Sequence, residues 1–423
     1  MISGCPFAPG CKDVNVLQIT AWDTIGERFN GSLIHRALLA RGHQSAMAVR
    51  FKRGSDPAVF EVGTRLTRVV DNHLLVPLER RLSLQHLLPT SGYALHVSSH
   101  LRDAEIIHLQ LIHASPFFSL ANLPVISRRR SLVWTIHDPW MTTGHCIHPR
   151  DCDRWRIGCG KCPDLVRPQP MRRDRTALMW RIKRSLVRRS RPTLVVASHF
   201  MRELIAESPI LSGLPCRVIP FGVPIDTFKP LDRAAARSHL GLPDDADVIA
   251  FRFRGFDDPH KGGGLLADAL RMLQPARPTT LLVIEGGKDL PPLGGRFRVV
   301  DLGWIESPAE LACVFNAADL YLMPSAAEAF GMMAVEAMAC GIPVIVCEGT
   351  ALPEVVMAPE GGLSVPAGQP AALARAIEDL LASPAARHEI GCRAVELARE
   401  HYSIEAYVQR HLELYQELLE ALS

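Results

Sequence analysis

The sequence predicts an α/β protein of two domains, each a parallel sheet covered by helices, and three observations carry that expectation. Short β-branched runs alternate with helix-patterned segments along the chain, which is the pattern of βαβ units. Near the middle, CRVIPFGVPIDTFKP (216–230) breaks the alternation with three prolines and Gly222, as a linker does. A length of 423 residues suits two domains that each bury a core.

Composition narrows the class. Hydrophobic residues make up 48% and charged residues 22%, as in soluble globular proteins. A net charge of +3 is too small to imply a nucleic-acid partner. The opening MISGCPFAPGCKDV has neither a basic stretch nor a sustained apolar run, so no secretory signal is expected. The long apolar region 311–347 is broken by Asp319, Glu328 and Glu336, so no membrane span is expected and the chain reads as cytoplasmic. Its eleven cysteines are not spaced like a disulfide framework. Cys313, Cys340 and Cys347 lie in apolar runs and read as small core residues.

In chain order, VNVLQIT (14–20) reads as the first buried strand. After AWDTIGERFNG, Leu33, Ala37, Leu38 and Arg41 fall at helical spacing, and Gly42 closes the helix. The intervening glycine loop brings backbone close to a ligand, yet it is not GxGxxG, which argues against a nicotinamide or flavin site. Residues 50–100 hold Leu-rich patches that read as helices and a loop. EIIHLQLIH (105–113) is a strand ending in polar residues, among them His108 and His113. In SLVWTIHDPW (131–140) the pair His137-Asp138 falls just past the carboxyl end of a strand, where an imidazole can donate a hydrogen bond or shuttle a proton.

GHCIHPRDCDRWRIGCGKCPDL follows, with Cys146, Cys152, Cys159 and Cys162 in a C-x5-C-x6-C-x2-C pattern within seventeen residues. Four thiolates at such spacing suit a closed structural zinc site. An iron–sulfur cluster, a pair of disulfides and unliganded thiols are the other readings, and His145 or His148 can replace one cysteine. Residues 167–191 hold ten Arg or Lys against the single acid Asp174. Leu178, Met179, Ile182 and Leu186 share one arc of a helical wheel, with Arg181, Arg184 and Arg188 roughly opposite. Such a helix either meets an anionic membrane surface or carries a solvated basic face. No aromatic–basic interleaving supports nucleic acid. TLVVASHFMRELIAES (193–208) reads as strand then helix, with Ser198 as N-cap.

In the second half, DVIAFRF (247–253) leads into RGFDDPHKGGGLLADAL, a glycine loop and helix. Lys261 places a charge where the N–H groups at the start of a helix already favour phosphate. The loop is not a Walker A loop. TLLVIEG (280–286), FRVVDLGWI (297–305) and DLYLM (319–323) continue the alternation, with Gly286, Gly287 and Gly303 at strand ends and Ser307-Pro308 opening a helix. Then PSAAEAFGMMAVEAMACGIP (324–343) gives a loop with Glu328, a helix with Glu336, and Gly341 and Pro343 as stop signals before the strand PVIVC. A loop at the carboxyl end of a parallel strand is where open α/β sheets bind ligands. Two carboxylates flanking an anion-favouring helix start suggest sugar or ribose hydroxyls beside a phosphate. SIEAYVQRHLELYQELLEAL closes the chain as an amphipathic helix.

The E-x7-E spacing of Glu328 and Glu336, followed by A-M-A-C-G-I-P-V, resembles the donor-site motif of retaining nucleotide-sugar glycosyltransferases of family four. PFGV-D-FKP resembles their interdomain segment, and the His137-Asp138 pair and the Cys-rich loop resemble elements of a subset of them. The resemblance implies the GT-B fold: two Rossmann-like domains facing a cleft, residues 1–221 on the acceptor side with the Cys-rich loop 145–163, residues 222–401 on the donor side, and a C-terminal helix, 402–423, crossing back. It implies transfer of a hexose-type unit from a nucleoside-diphosphate sugar to a glycan or lipid-linked acceptor, with retention, without a catalytic metal and without nucleic acid. Glu328 and His137 would contact the donor sugar, Glu336 the ribose, and Lys261, Arg254 and the N–H groups of Phe330, Gly331 and Met332 the leaving diphosphate. Gly26 matches the second glycine of the family's first loop, where Ile25 replaces the first. Arg254 precedes Lys261 by seven residues where five is common, which leaves Arg252 as a competitor. The alternative is a non-catalytic nucleotide-sugar-binding protein on the same fold.

Overall fold

The structure is a computed structural model and describes residues 13–421 apart from 27, 129, 167–168, 256–257, 259, 287–289 and 294. Gly287 and the start of the 167–191 basic segment therefore lie outside the described residues. The chain forms two compact units, Met1–Ile219 with Val408–Ser423, and Pro220–Tyr407.

The first unit is built on seven strands: β1 (Asn15–Trp22), β2 (Gln44–Phe51), β3 (Val59–Glu61), β4 (Ile106–Leu109), β5 (Ser131–Thr135), β6 (Thr193–Val196) and β7 (Cys216–Val218). They lie in the order β3-β2-β1-β4-β5-β6-β7, every neighbouring pair parallel. Residues Val16, Leu17 and Ile19 of β1 and all of β4 are buried, as expected of a sheet covered on both faces. The second unit has six strands: β8 (Asp247–Arg252), β9 (Thr279–Ile284), β10 (Phe297–Gly303), β11 (Leu320–Met323), β12 (Val344–Cys347) and β13 (Gly362–Val365). Their order is β10-β9-β8-β11-β12-β13, again all parallel. Ile249, Phe251, Leu266, Leu281, Val283, Leu322 and Ile345 join in its core. The α/β class and the two parallel sheets are as the alternation predicts.

In both sheets the strand order reverses beside the first strand of the unit, between β1 and β4 and between β8 and β11. Loops leaving the carboxyl ends of strands on either side of such a reversal diverge and leave a crevice. Asp319 fixes the second reversal. It is buried at the head of β11, accepts from the backbone N–H of Val248 at 2.8 Å, and pairs with Arg237 at 2.8 Å and Arg233 at 2.6 Å.

Three strands escaped the sequence reading. QSAMAVRF of β2 is rich in residues that also suit helices, and only its place between β1 and β3 makes it a strand. β3 and β13 are too short, at three and four residues, to show a period. The last helix, Ile404–Glu420, begins in the second unit and from Val408 onward belongs to the first. Among the described residues no helix is long and apolar enough to cross a membrane.

Candidate functional site

In the second unit, the two loops at the strand-order reversal hold the predicted cation and carboxylate together. The ammonium of Lys261 donates to Glu328 Oε2 at 2.7 Å, with both side chains only partly exposed. Lys261 precedes the helix Gly263–Met272, and Glu328 precedes the helix Met332–Ala339, so the pair stands before two helix N-termini. The loops are stitched by backbone: the N–H groups of Ala326 and Ala327 donate to the His260 carbonyl at 2.9 and 3.2 Å. Gly262 sits at φ +69° so close to Pro324 that any Cβ would overlap the proline carbonyl oxygen. Gly331, the N-cap of the second helix, sits at φ +100°, and a Cβ there would overlap Leu352 Cδ2. Both glycines are therefore obligatory for this backbone.

Phe330 turns its ring into the core against Phe221 and Tyr402, at centroid separations of 5.3 and 5.6 Å, which leaves its backbone as the part able to face a ligand. Met332 is the first residue of the helix, and its N–H is among those a helix leaves open. Glu336, one turn further on, is fully buried. Gly341 takes the left-handed conformation, φ +79°, that its stop signal predicts.

Arg254 carries an ion pair of its own. Its Nε lies 3.8 Å from Glu285, at the end of β9, where Arg252 also binds at 2.6 Å. Arg252 stacks over the exposed Trp304 with 5.0 Å between the guanidinium carbon and the ring centroid. Glu285 and Trp304 carry no motif in the sequence that marks them. Glu285 is marked only in hindsight, by φ +61° at a strand end.

In the first unit the same reversal gathers Gly31, Gln110 and His137, from the loops after β1, β4 and β5. His137 Nε2 is 3.1 Å from Gln110 Oε1, so the imidazole donates through Nε2. The Gln110 amide nitrogen donates to Gln18 Oε1 at 3.1 Å and to His108 Nε2 at 3.2 Å. His108 Nδ1 then donates to the Tyr415 hydroxyl at 2.7 Å. A relay of uncharged groups thus runs from the C-terminal helix to His137 and fixes which nitrogen carries its proton. Loss of hydration is the main force on His137 and pushes its pKa down to about 3, the Asp138 charge opposing too weakly to restore it. The group is a neutral hydrogen-bonding imidazole at physiological pH.

Asp138 has a different task. Burial alone would raise its carboxyl, but the His113 imidazole at 2.9 Å and the Trp140 N–H outweigh it and hold the pKa at about 2. It caps the short turn Pro139–Thr142 and orients His113, which stacks on Trp140. His108 is fully buried in the relay. Gly26 adopts φ +71°, its carbonyl accepts from Phe29 and Asn30, and a Cβ would stand 2.9 Å from the Phe29 ring. Gly31 is the tighter position: a Cβ would stand 2.9 Å from Gln110 and 3.0 Å from Gln18 Oε1. Gly31, Gln18, Gln110 and Tyr415 were missed because single polar residues inside apolar runs carry no pattern of their own.

The basic helix forms over Thr176–Ser190, with two corrections. Leu178, placed on the apolar arc, is 36% exposed, whereas Lys183, counted among the basic residues, is fully buried. Arg181, Arg188 and Arg189 remain at the surface. The four loop cysteines line a single small cavity beside this helix. Burial pushes the Cys159 thiol up to about 12, so it is no nucleophile at neutral pH.

Comparison with known proteins accords with this geometry. Residues 248–383 match the family described as glycosyl transferases group 1. A D-inositol 3-phosphate glycosyltransferase of Segniliparus rotundus is 38% identical over 178 residues, 40% of this chain and 39% of that protein. The protein of that name from Streptomyces bingchenggensis is 35% identical over 198 residues, 43% of each chain. The alignments thus span about two fifths of these relatives. Sucrose-phosphate synthase of Thermosynechococcus elongatus superposes with a TM-score of 0.67 at 22% identity, covering 96% of this chain and 100% of that one. Anabaena HepE, solved with UDP and glucose, superposes with 0.64 at 20% identity over 96% and 100%. The fold is that of the GT-B glycosyltransferases.

Proposed function

We infer, for a chain whose residues 248–383 belong to the glycosyl transferases group 1 family, that it transfers a sugar from a nucleoside-diphosphate sugar to an acceptor hydroxyl with retention of configuration. The observation that carries this reading is the Lys261–Glu328 pair set before two helix N-termini at a strand-order reversal. The difficult step is departure of a diphosphate as positive charge grows on the sugar. Lys261 and the open N–H groups at Gly331 and Met332 are suited to the leaving charge, and Glu328 to the sugar hydroxyls. In this reading neutral His137, whose one N–H goes to Gln110, accepts from a donor-sugar hydroxyl at Nδ1, Glu336 serves the ribose, and Arg254 reaches the diphosphate only by leaving Glu285. The UDP-bound Anabaena protein makes a uridine donor the first to try.

The acceptor in this reading is a glycan or a lipid-linked sugar met at the inner membrane surface, for which the exposed Arg181, Arg188 and Arg189 supply a cationic face. Vesicles containing anionic lipid should bind the protein, and added salt should weaken the binding; absent or salt-insensitive binding removes the membrane from the reading.

A panel of nucleotide sugars tests the donor site. One of them should raise the melting temperature, since a ligand at a hundred times its Kd stabilises the native state by about 2.7 kcal/mol. That donor should also be hydrolysed slowly without acceptor. Stabilisation without any turnover would mark a binding protein, and no stabilisation by any donor would overturn both readings.

A further inference from the structure

The transfer reaction leaves one group of chemically capable side chains without a task. Cys146, Cys152, Cys159 and Cys162 all line one cavity of about 20 Å³, with Thr143 and Trp155 among its other walls. That volume is enough for one water-sized or ion-sized particle. Cys159, Gly160 and Lys161 all have positive φ, at 56°, 88° and 47°, so the C-G-K-C segment folds back tightly. The backbone N–H of Gly144 donates to Cys159 Sγ at 3.2 Å, and His145 Nε2 lies 3.3 Å from Cys162 Sγ. The loop is bolted to the helix Thr176–Ser190: Gly160 N–H donates to Thr176 Oγ1 at 2.9 Å, and Cys162 N–H to Asp174 Oδ2 at 2.8 Å.

A second observation comes from the helix. Lys183 is fully buried, its ammonium donating to the carbonyls of Trp140 and Thr143 at 2.6 and 3.0 Å and lying 3.8 Å from the Trp140 ring centroid. Among the described residues no carboxylate is at ion-pair distance from it. Isolated buried cations are costly, and neutral carbonyls do not cancel a charge. One of its two carbonyl partners, Thr143, also lines the cysteine cavity.

We propose that Cys146, Cys152, Cys159 and Cys162 bind one zinc ion as a closed tetrathiolate centre, and that Lys183 balances part of its charge. Binding replaces four S–H bonds with four Zn–S bonds and releases the four protons to solvent, with no change of oxidation state. The centre carries two negative charges, and the buried ammonium cancels one. As placed, the sulfurs surround the cavity without closing on it: among the described residues no three His, Cys, Asp or Glu side chains converge at metal-holding distance. Each sulfur turns about a single side-chain bond, and closure on the ion calls on that rotation. An iron–sulfur cluster also takes four thiolates, and iron with acid-labile sulfide is the outcome that would mark it. The role is structural, pinning the loop that follows Asp138 to the basic helix.

The test needs no transferase activity, so it stands or fails apart from the donor reading. Full-length protein purified under reducing conditions without chelator should contain about one zinc per chain. Exchange into cobalt should give the intense visible and thiolate-to-cobalt charge-transfer absorption of a four-sulfur tetrahedral site, a readout that requires no variant. Cys159→Ser and Cys162→Ser should lose the metal, while Cys313→Ser, outside the loop, should keep it. Lys183→Met should weaken zinc affinity about 10-fold or more, as loss of an outer partner does. Metal-free protein, two disulfides in its place, iron with acid-labile sulfide, or full zinc in both loop variants would each overturn the proposal.

Discussion

Replacing Lys261 or Glu328 by alanine lowers turnover of the donor at least about tenfold, equivalent to about 1.4 kcal/mol in the barrier. The two losses have different origins. Without donor, each side chain satisfies the other across 2.7 Å. In the proposed function, the donor's diphosphate takes the ammonium and its sugar hydroxyls take the carboxylate, so the ion pair is exchanged for two separate contacts. Glu328 therefore competes with the nucleotide for Lys261. Glu328→Gln should bind the nucleoside diphosphate more tightly than the wild type while turning over donor more slowly. Calorimetric titration with the diphosphate and steady-state kinetics check the two halves. Unchanged turnover in both alanine variants would remove these residues from the site, and weaker diphosphate binding in Glu328→Gln would refute the competition.

Acid destabilises the first unit well above the range where carboxylates titrate. Burial depresses the pKa of His86 and of His137 to about 3 and that of His108 well below its ordinary 6.5. The folded protein holds these rings neutral, whereas the unfolded chain takes up their protons as pH falls through about 6.5. The unfolded state then binds more protons, so stability falls with falling pH. Their contribution is complete above about pH 7 and is lost progressively toward pH 3, by up to about 1.4 kcal/mol per pH unit for each ring. Asp138, held at about 2 against its ordinary 3.8, adds to the loss only below that ordinary value. Denaturant titrations of the first unit's unfolding transition between about pH 7 and pH 5 should show a falling midpoint, less steep in His86→Gln. A midpoint independent of pH across that window would contradict the neutral relay.

Much of the candidate site in the second unit is readable from the chain itself. Lys261 and Glu328 stand in loops between clear strand and helix patterns, and the glycines beside them mark helix starts. Their pairing was not readable. It spans 67 positions and depends on β11 lying beside β8 while β9 and β10 go to the other side, a matter of topology that local pattern does not encode. Arg254 differs: its spacing to Lys261 is visible in the sequence, but Glu285, with which it pairs, lies on another strand. In the first unit, His137-Asp138 was visible from its place after β5, whereas Gln110 and Tyr415 were not, because a buried polar side chain is recognised only by the partners that satisfy it. Lys183 was counted with a surface charge because its burial rests on two carbonyls and a ring from a distant turn.

The backbone at Gly262 bears on how this sequence is able to drift. Every amino-acid replacement reachable from a glycine codon by one base change introduces a Cβ, and at this position that atom meets the Pro324 carbonyl. No neutral step leads away, and a compensating change would have to move the backbone of a second loop at the same time. Position 262 is thus locked to position 324 through sterics alone. A lineage that changed its donor would be expected to rewrite the residues around this glycine and leave the glycine untouched.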